Sequence, residues 1–244
     1  MRILVVNPNT TQSMTDAIAR TARECASPGT TIVPLTPHFG ADGIDCAFES
    51  LLSAVAVMDR VATYDAPYDA IVMAGFGEHG REGLQELTDV PAIDIAESAA
   101  HVAQMIGRRY SVVTTLDRSI GAIEDRLLTA GLAAHCASVR SVGLATLELD
   151  QDPAAGIAAI VEQARRAVED DGAEVICLGC GGMAGLDKEI TEALGVPVVD
   201  PVAAGVRLAE AVVGLGLATS KVRSYANPDP KKIIGWPLSR HLKV

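Results

Sequence analysis

Asp69-Ala-Ile-Val-Met-Ala-Gly75-Phe-Gly77 and Glu174-Val-Ile-Cys-Leu-Gly-Cys180-Gly-Gly182 are two copies of one pattern. Each is a short apolar run that ends in a glycine-rich turn. An unbroken apolar run of this length marks a strand buried on both faces, as in a parallel sheet. Each is followed, at nearly the same offset, by a second shared element: Val90-Pro91-Ala92-Ile93-Asp94 and Val196-Pro197-Val198-Val199-Asp200. The repetition predicts two similar α/β halves with a comparable turn at the same place in each. Open α/β sheets bind ligands at the carboxyl ends of their strands. Two such turns facing each other would hold a small molecule between them.

Working outward, β-rich runs at Ile3–Val6, Thr31–Leu35, Ala70–Ala74, Ala92–Ile95, Ser111–Thr115, Ser141–Ala145, Val175–Leu178 and Val196–Val199 predict strands. Helical spacing lies between them, at Met14, Ala17, Ile18 and Ala22, at Leu51, Leu52, Val55 and Met58, and at Ile157, Ile160, Val161 and Ala164. Alternating strands and helices give parallel sheets covered on both faces. Lys221–Val244 is polar and aperiodic, which predicts a tail that wraps the surface or reaches a neighbouring subunit.

Hydrophobic residues make up 49% of the 244 and aromatics only 3%, so the core must be built from Ala, Val, Ile and Leu. The formal charge of −11, with no basic patch, argues against nucleic acid and anionic membranes as partners. No apolar run approaches the roughly 18 residues of a membrane span. The chain opens directly into a strand, without the leader of a secreted protein, and the expected location is the cytoplasm.

The chemistry-bearing stretches sit where strands end. Asn7-Pro8-Asn9-Thr10-Thr11 follows the first strand; short polar side chains there either cap the next helix or leave backbone amides open to a carboxylate or carbonyl oxygen. Thr114 and Thr115 end another strand, either as helix caps or as donors to a substrate. Cys180 stands between a strand and a helix, set in Gly179, Gly181 and Gly182, which let a substrate approach closely. Amides at a helix start favour a thiolate, which acts as nucleophile or general base. Cys177 lies inside the predicted strand and no second Cys/His pair has zinc spacing, so Cys177-x-x-Cys180 is neither a redox nor a metal motif and no metal is expected. Cys25, Cys46 and Cys136 are expected to be ordinary free thiols. Asp200, ahead of Pro201, is a helix N-cap.

Taken together, Arg2-Ile-Leu-Val-Val-Asn-Pro-Asn-Thr10, Val112-Val-Thr-Thr115, Leu178-Gly-Cys-Gly-Gly-Met183, Val196-Pro-Val-Val-Asp-Pro201 and Leu217-Ala-Thr-Ser-Lys221 resemble the aspartate/glutamate/hydantoin racemase superfamily, in its hydantoin and allantoin branch. The resemblance spans nearly the whole chain. It implies two pseudo-symmetric flavodoxin-like lobes with parallel sheets and an interlobe active site, residues 1–96 with 207–244 forming one lobe and 97–206 the other. It implies a cofactor-independent isomerase, expected as a homo-oligomer, in which two cysteines flank an acidic carbon of a small-molecule substrate. One of them maps onto Cys180. Asn7, Thr114, Thr115, Gly181 and Gly182 would hold the ring, and Ile44, Phe48 and Phe76 would line the pocket.

The other cysteine of the pair maps onto Gly75, which has no side chain to move a proton. Three readings follow. A different group replaces the thiol, with His79 the first candidate and Glu78 and Cys46 behind it. Alternatively the chain is a one-thiol decarboxylase of malonate-like acids, similar to the arylmalonate decarboxylase branch, which has glycine here. Or it is a silenced racemase that only binds. What occupies the space beside Gly75 separates them: an imidazole there favours the isomerase, a small apolar pocket the decarboxylase.

Overall fold

The apolar runs form parallel strands whose neighbouring residues face opposite sides of the sheet. In the computed structural model, which describes residues 1–231, β1 (Arg2–Val6), β2 (Thr31–Leu35), β3 (Ala70–Met73) and β4 (Ala92–Asp94) make one sheet in the order β2-β1-β3-β4. β5 (Tyr110–Thr114), β6 (Cys136–Ser141), β7 (Val175–Leu178) and β8 (Val198–Val199) make the second, in the order β6-β5-β7-β8. The two orders are identical, so the repeat seen in the sequence is a repeat of topology.

One strand differs from expectation. β6 is Cys136–Ser141, and Val142–Ala145 leads out of it as a loop. β6 is an edge strand whose polar residues face partners of their own: Arg140 pairs with Asp171 at 2.6 Å, and the Ser138 hydroxyl donates to the same carboxylate. It therefore lacks an apolar pattern, while the more apolar segment after it turns at Gly143, where φ is +74°.

Period-two alternation divides the core into layers. Ile3, Val5, Ala70 and Val72 pack on one face of the first sheet with α1 (Gln12–Cys25) and α9 (Pro201–Gly214). Leu4, Val6, Ile71 and Met73 pack on the other with α2 (Ala47–Ala62) and α3 (Arg81–Leu87). In the second sheet, Val112, Val175 and Cys177 face α4 (Ile95–Ile106) and α5 (Asp117–Thr129). Val113, Ile176 and Leu178 face α7 (Pro153–Glu169) and α8 (Asp187–Leu194), with the short α6 (Thr146–Gln151) at their edge.

Two helices change sides. α4 leaves the last strand of the first sheet and packs on the second sheet; α9 leaves the last strand of the second sheet and packs on the first. Asp94 and Asp200 cap them in the same way, accepting from the Glu97 and Ala203 amides. The described part of the tail folds onto its own chain. Lys221 Nζ donates to the carbonyls of Gln85 and Glu86 at the end of α3, at 2.6 and 3.2 Å. The rest of the expected tail, 232–244, lies outside the described residues.

A buried ion cluster ties the sheets' layers together. Arg126 of α5 reaches Asp94 at 2.6 Å, Glu97 and Glu82 at 2.7 Å and Glu78 at 3.3 Å. Arg81 joins Asp94 and Glu97 from the first half. The Asp94 side chain is fully buried and that of Arg126 nearly so, which makes loss of either partner costly. Arg126→Ala should lower stability by about 3 kcal/mol, the low end for a broken buried pair because Arg81 remains; the midpoint of urea unfolding measures it.

Candidate active site

All the loops that end in chemistry-bearing residues converge at the carboxyl ends of the two sheets. Asn7, Pro8 and Asn9 come from the loop after β1, and Ala74, Gly75, Phe76 and His79 from the loop after β3. Thr114, Thr115 and Ser119 come from the end of β5 and the start of α5. Gly179, Cys180, Gly181 and Gly182 follow β7. These groups, with Ile44 and Thr146, enclose a cavity of about 70 Å³. It continues past Ile44, Phe76, His79 and Ser119 into a larger groove of about 310 Å³, lined by Leu51, Ala122 and Ile123 and also by Glu78 and Arg118.

The two glycine turns touch. A Cβ placed on Gly181 would lie 2.6 Å from the Ala74 carbonyl oxygen, so only glycine lets the Cys180 loop reach the Gly75 loop. Gly179 is equally confined: a Cβ there would meet the Val113 carbonyl at 2.8 Å. The Gly182 amide donates to Cys180 Sγ at 3.3 Å. A donor aimed at sulfur stabilises its anion. Only a single 3-10 turn, Gly181–Met183, follows the cysteine directly; the helix expected there begins at Asp187, because Gly185, with φ of +88° and its amide donating to Asp200, breaks the run. The Gly182 amide that reaches Cys180 thus belongs to a single 3-10 turn rather than to the start of a longer helix. Cys177 is fully buried, and burial pushes its thiol far up; Cys25 and Cys136 are pushed to about 11 by the same cause.

The polar groups of the other loops serve largely to hold the loops. Asn7 is buried; its side-chain amide donates to Asn9 Oδ1 at 2.8 Å and to Thr15 Oγ1 at 3.0 Å, and its oxygen accepts the Asn9 amide. The amides of Thr10 and Thr11 are engaged by Ala41 and Asn9. The open amides expected after the first strand are therefore closed by the loop itself at these positions. The Thr114 hydroxyl donates to the Gly179 carbonyl at 3.2 Å, bracing the cysteine loop. Phe48 is a correction: it is 76% exposed on the outer face of α2 and lines neither the cavity nor the groove. The buried face of α2 is the one bearing Ser53, Ala56 and Val57. Asn9, Ser119 and Thr146 line the cavity without having been singled out as pocket residues; their shared signal is position, just after β1, β5 and β6.

The space beside Gly75 is filled by the His79 imidazole. A Cβ on Gly75 would lie 2.3 Å from His79 Cδ2 and 3.1 Å from Nε2. The other ring nitrogen, Nδ1, lies 3.1 Å from both Ser50 Oγ and Ser53 Oγ. Burial lowers the imidazole to about 4, with the Asp94 charge opposing that shift and the Arg126 charge adding to it. Glu78 and Cys46 both border the groove that continues the cavity. Glu78 pairs with Arg126 and accepts the Gly80 amide, and burial with a proton shared toward Glu82 raises it to about 7. Cys46 caps α2 and borders only the groove. Among the described residues, no group of three or more His, Cys, Asp or Glu is placed to hold a metal ion, and no helix is long and apolar enough to cross a membrane.

A family model of Asp/Glu/hydantoin racemases matches residues 3–209. The chain belongs to that family. It is 62% identical to allantoin racemase from Pseudomonas fluorescens, whose crystal structure superposes with a TM-score of 0.95 over 96% of this chain and 100% of that one. The structure of allantoin racemase from Klebsiella pneumoniae gives 39% identity and a TM-score of 0.93, covering 96% of each chain. Hydantoin racemase of Pseudomonas sp. strain NS671 is 39% identical over 236 residues, 96% of this chain and 95% of that protein. The chain is thus an isomerase of the racemase type, and its two parallel sheets are those of the family fold.

The buried neutral imidazole has a consequence for stability. An ordinary histidine takes a proton near pH ~6.5, so as the pH falls from there toward about 4 the unfolded chain binds a proton that the folded chain refuses. That interval costs stability. Glu78, raised to about 7, acts with the opposite sign, because the folded chain there holds the extra proton. A His79→Asn variant keeps the Glu78 contribution and loses the histidine one. Its melting temperature relative to the parent should rise steadily between pH 6.5 and pH 4, read from thermal unfolding across a pH series.

Proposed function

We propose that the protein interconverts the enantiomers of a 5-substituted hydantoin or a similar cyclic amide, without a cofactor, with the Cys180 thiol exchanging a proton at the acidic ring carbon. The observation that carries this is the cavity itself. Cys180 stands in a cavity at the meeting of both sheets' carboxyl ends, its sulfur accepting from the Gly182 amide. Beside Cys180 and His79, the described lining residues offer amides, hydroxyls and apolar groups and include no Lys or Arg. A neutral ring with N–H donors and C=O acceptors leaves water cheaply in such a site; a malonate dianion would meet an arginine only in the adjoining groove, at Arg118. The groove beyond Ile44 and Phe76 gives the ring substituent an exit, with an apolar wall to pack against. Carbanion formation would draw on donors aimed at the ring carbonyl, as in an oxyanion hole.

The test is to incubate each enantiomer of a 5-substituted hydantoin in deuterated water and follow optical rotation and α-proton exchange together. Both enantiomers should racemise with deuterium uptake, and Cys180→Ser should slow this by about 100- to 10,000-fold, the range for loss of a general acid–base group. Exchange with fully retained configuration would sink the racemase reading. Release of carbon dioxide from an arylmalonate, with hydantoins untouched, would replace it with the decarboxylase reading.

A further inference from the structure

A second cleft lies behind the reacting thiol and shares a wall with its cavity. It measures about 260 Å³ and is formed by α1 on one side and by α6, α7 and the Cys180 loop on the other. We propose that this cleft binds a small monocarboxylate with a compact apolar body, and that its occupancy is felt at Cys180 through Gly182. Nothing in this depends on which carbon acid the active cavity takes.

Size, surface and charge define the ligand. Leu149, Ile157, Ile160 and Leu186 make the walls apolar. An apolar cavity of about 150 Å³ takes a benzene ring, so this cleft takes such a ring with a short chain. Arg20 is the one charged residue among the described residues that line it. Asp16 and Glu24 stand one turn to either side on α1, but neither engages it. Asp16 accepts from Gln12 at 2.9 Å, and Arg20 has no ion pair or hydrogen bond with any described residue. An uncommitted guanidinium beside an apolar cleft matches a carboxylate, which it can meet with two parallel N–H donors.

The partition between the two cavities is one residue thick. Gly182 borders both. A Cβ on it would lie 3.4 Å from Met14 Cε and Thr146 Cγ2, and 3.5 Å from Cys180 Sγ. Two helices run from one cavity to the other. On α1, Met14 lines the active cavity while Ala17 and Arg20, at steps of three along the same face, line the cleft. On α6, Thr146 lines the active cavity and Leu149, three residues on, the cleft. A ligand packed against Ala17, Leu149 and Gly182 together ties the cysteine loop to a helix of the other sheet. It thereby holds the Gly182 amide on the Cys180 sulfur, where that amide already donates at 3.3 Å. A donor fixed on sulfur favours the thiolate.

The experiment uses the full chain, with 3-phenylpropionate as the probe and 3-phenylpropanamide as its uncharged counterpart. In a ¹H–¹⁵N NMR titration the probe should shift the Ala17, Ile157 and Ala184 amides saturably, with half-saturation at about 4 mM or below. The amide should bind about tenfold more weakly than the acid. In Arg20→Gln that preference should vanish, with racemisation in the absence of probe unchanged. Ala17→Phe should fill the cleft and abolish the shifts. Arg20 is exposed, so Arg20→Gln keeps the test independent of any repacking that Ala17→Phe brings. At saturation, alkylation of Cys180 by iodoacetamide, followed by mass spectrometry of its peptide, should speed up about fivefold. Absence of saturable shifts would overturn the site, as would shifts at Gly75 and Thr115 in place of Ala17 and Ile157, which put the probe in the active cavity. Equal binding of acid and amide to the parent would overturn the carboxylate assignment. An unaltered alkylation rate at saturation would overturn the link to Cys180.

Discussion

The contact of Gly181 with the Ala74 carbonyl sets the scale of the site. Two strands from different sheets end there, backbone against backbone, with no room for a single methyl group between them. The distance across the cavity is therefore fixed by main chain, the stiffest material available, and not by side-chain rotamers. Cys180 and the ring over Gly75 inherit that fixed spacing from the residues beside them. The Thr114 hydroxyl on Gly179 and the Gly182 amide on the sulfur then fix the thiol within its own loop. Proton transfer is steeply sensitive to such spacing, so the glycines do as much to define the site as the groups that react in it.

Much of this was visible in the residues. The paired turns and the paired Val-Pro-x-x-Asp elements gave the duplicated topology, and Asp94 and Asp200 are indeed matching caps. Cys180 stood out because its glycine setting has no use in a buried core. What was hidden was hidden for identifiable reasons. β6 lies at an edge and takes its stability from Asp171 and from one neighbouring strand, so it carries no apolar signature. Phe48 belongs to a helix whose buried side depends on what lies opposite, which periodicity does not say. Ser119 and Thr146 belong to no motif and are recognisable only as the residues after strands. The loss at Gly75 was plain in the sequence, but its filling was not: the imidazole returns to that space through the turn at Gly77 and Gly80, both at positive φ, a path that linear spacing does not reveal.

Charge is kept out of the cavity and concentrated next to it. Arg81, Arg126, Asp94, Glu82 and Glu97 form a compact cluster under the loop that carries His79, and Glu78 joins it from that loop. Asp94 does two things at once, capping α4 and neutralising the arginines. The walls of the cavity are left to dipoles, whose fields are strongest where bulk water is excluded. The same loop thus connects a region of paired ions to a region of oriented neutral groups, with the imidazole at the boundary.

The exchange of α4 and α9 reaches beyond the site. Each sheet is sealed on one face by a helix that follows the last strand of the other, so neither sequence repeat contains the residues needed to close its own core. An isolated repeat would lack α9 over Ile3 and Val72, or α4 over Val112 and Val175, and so leave a core open. The molecule is in this sense a single cooperative unit despite its duplicated plan. The two sheets, each with the helix it has borrowed, meet along α4 and α9, and the groove between α2 and α5 is an opening that leads from the cavity past Ile44 and Phe76.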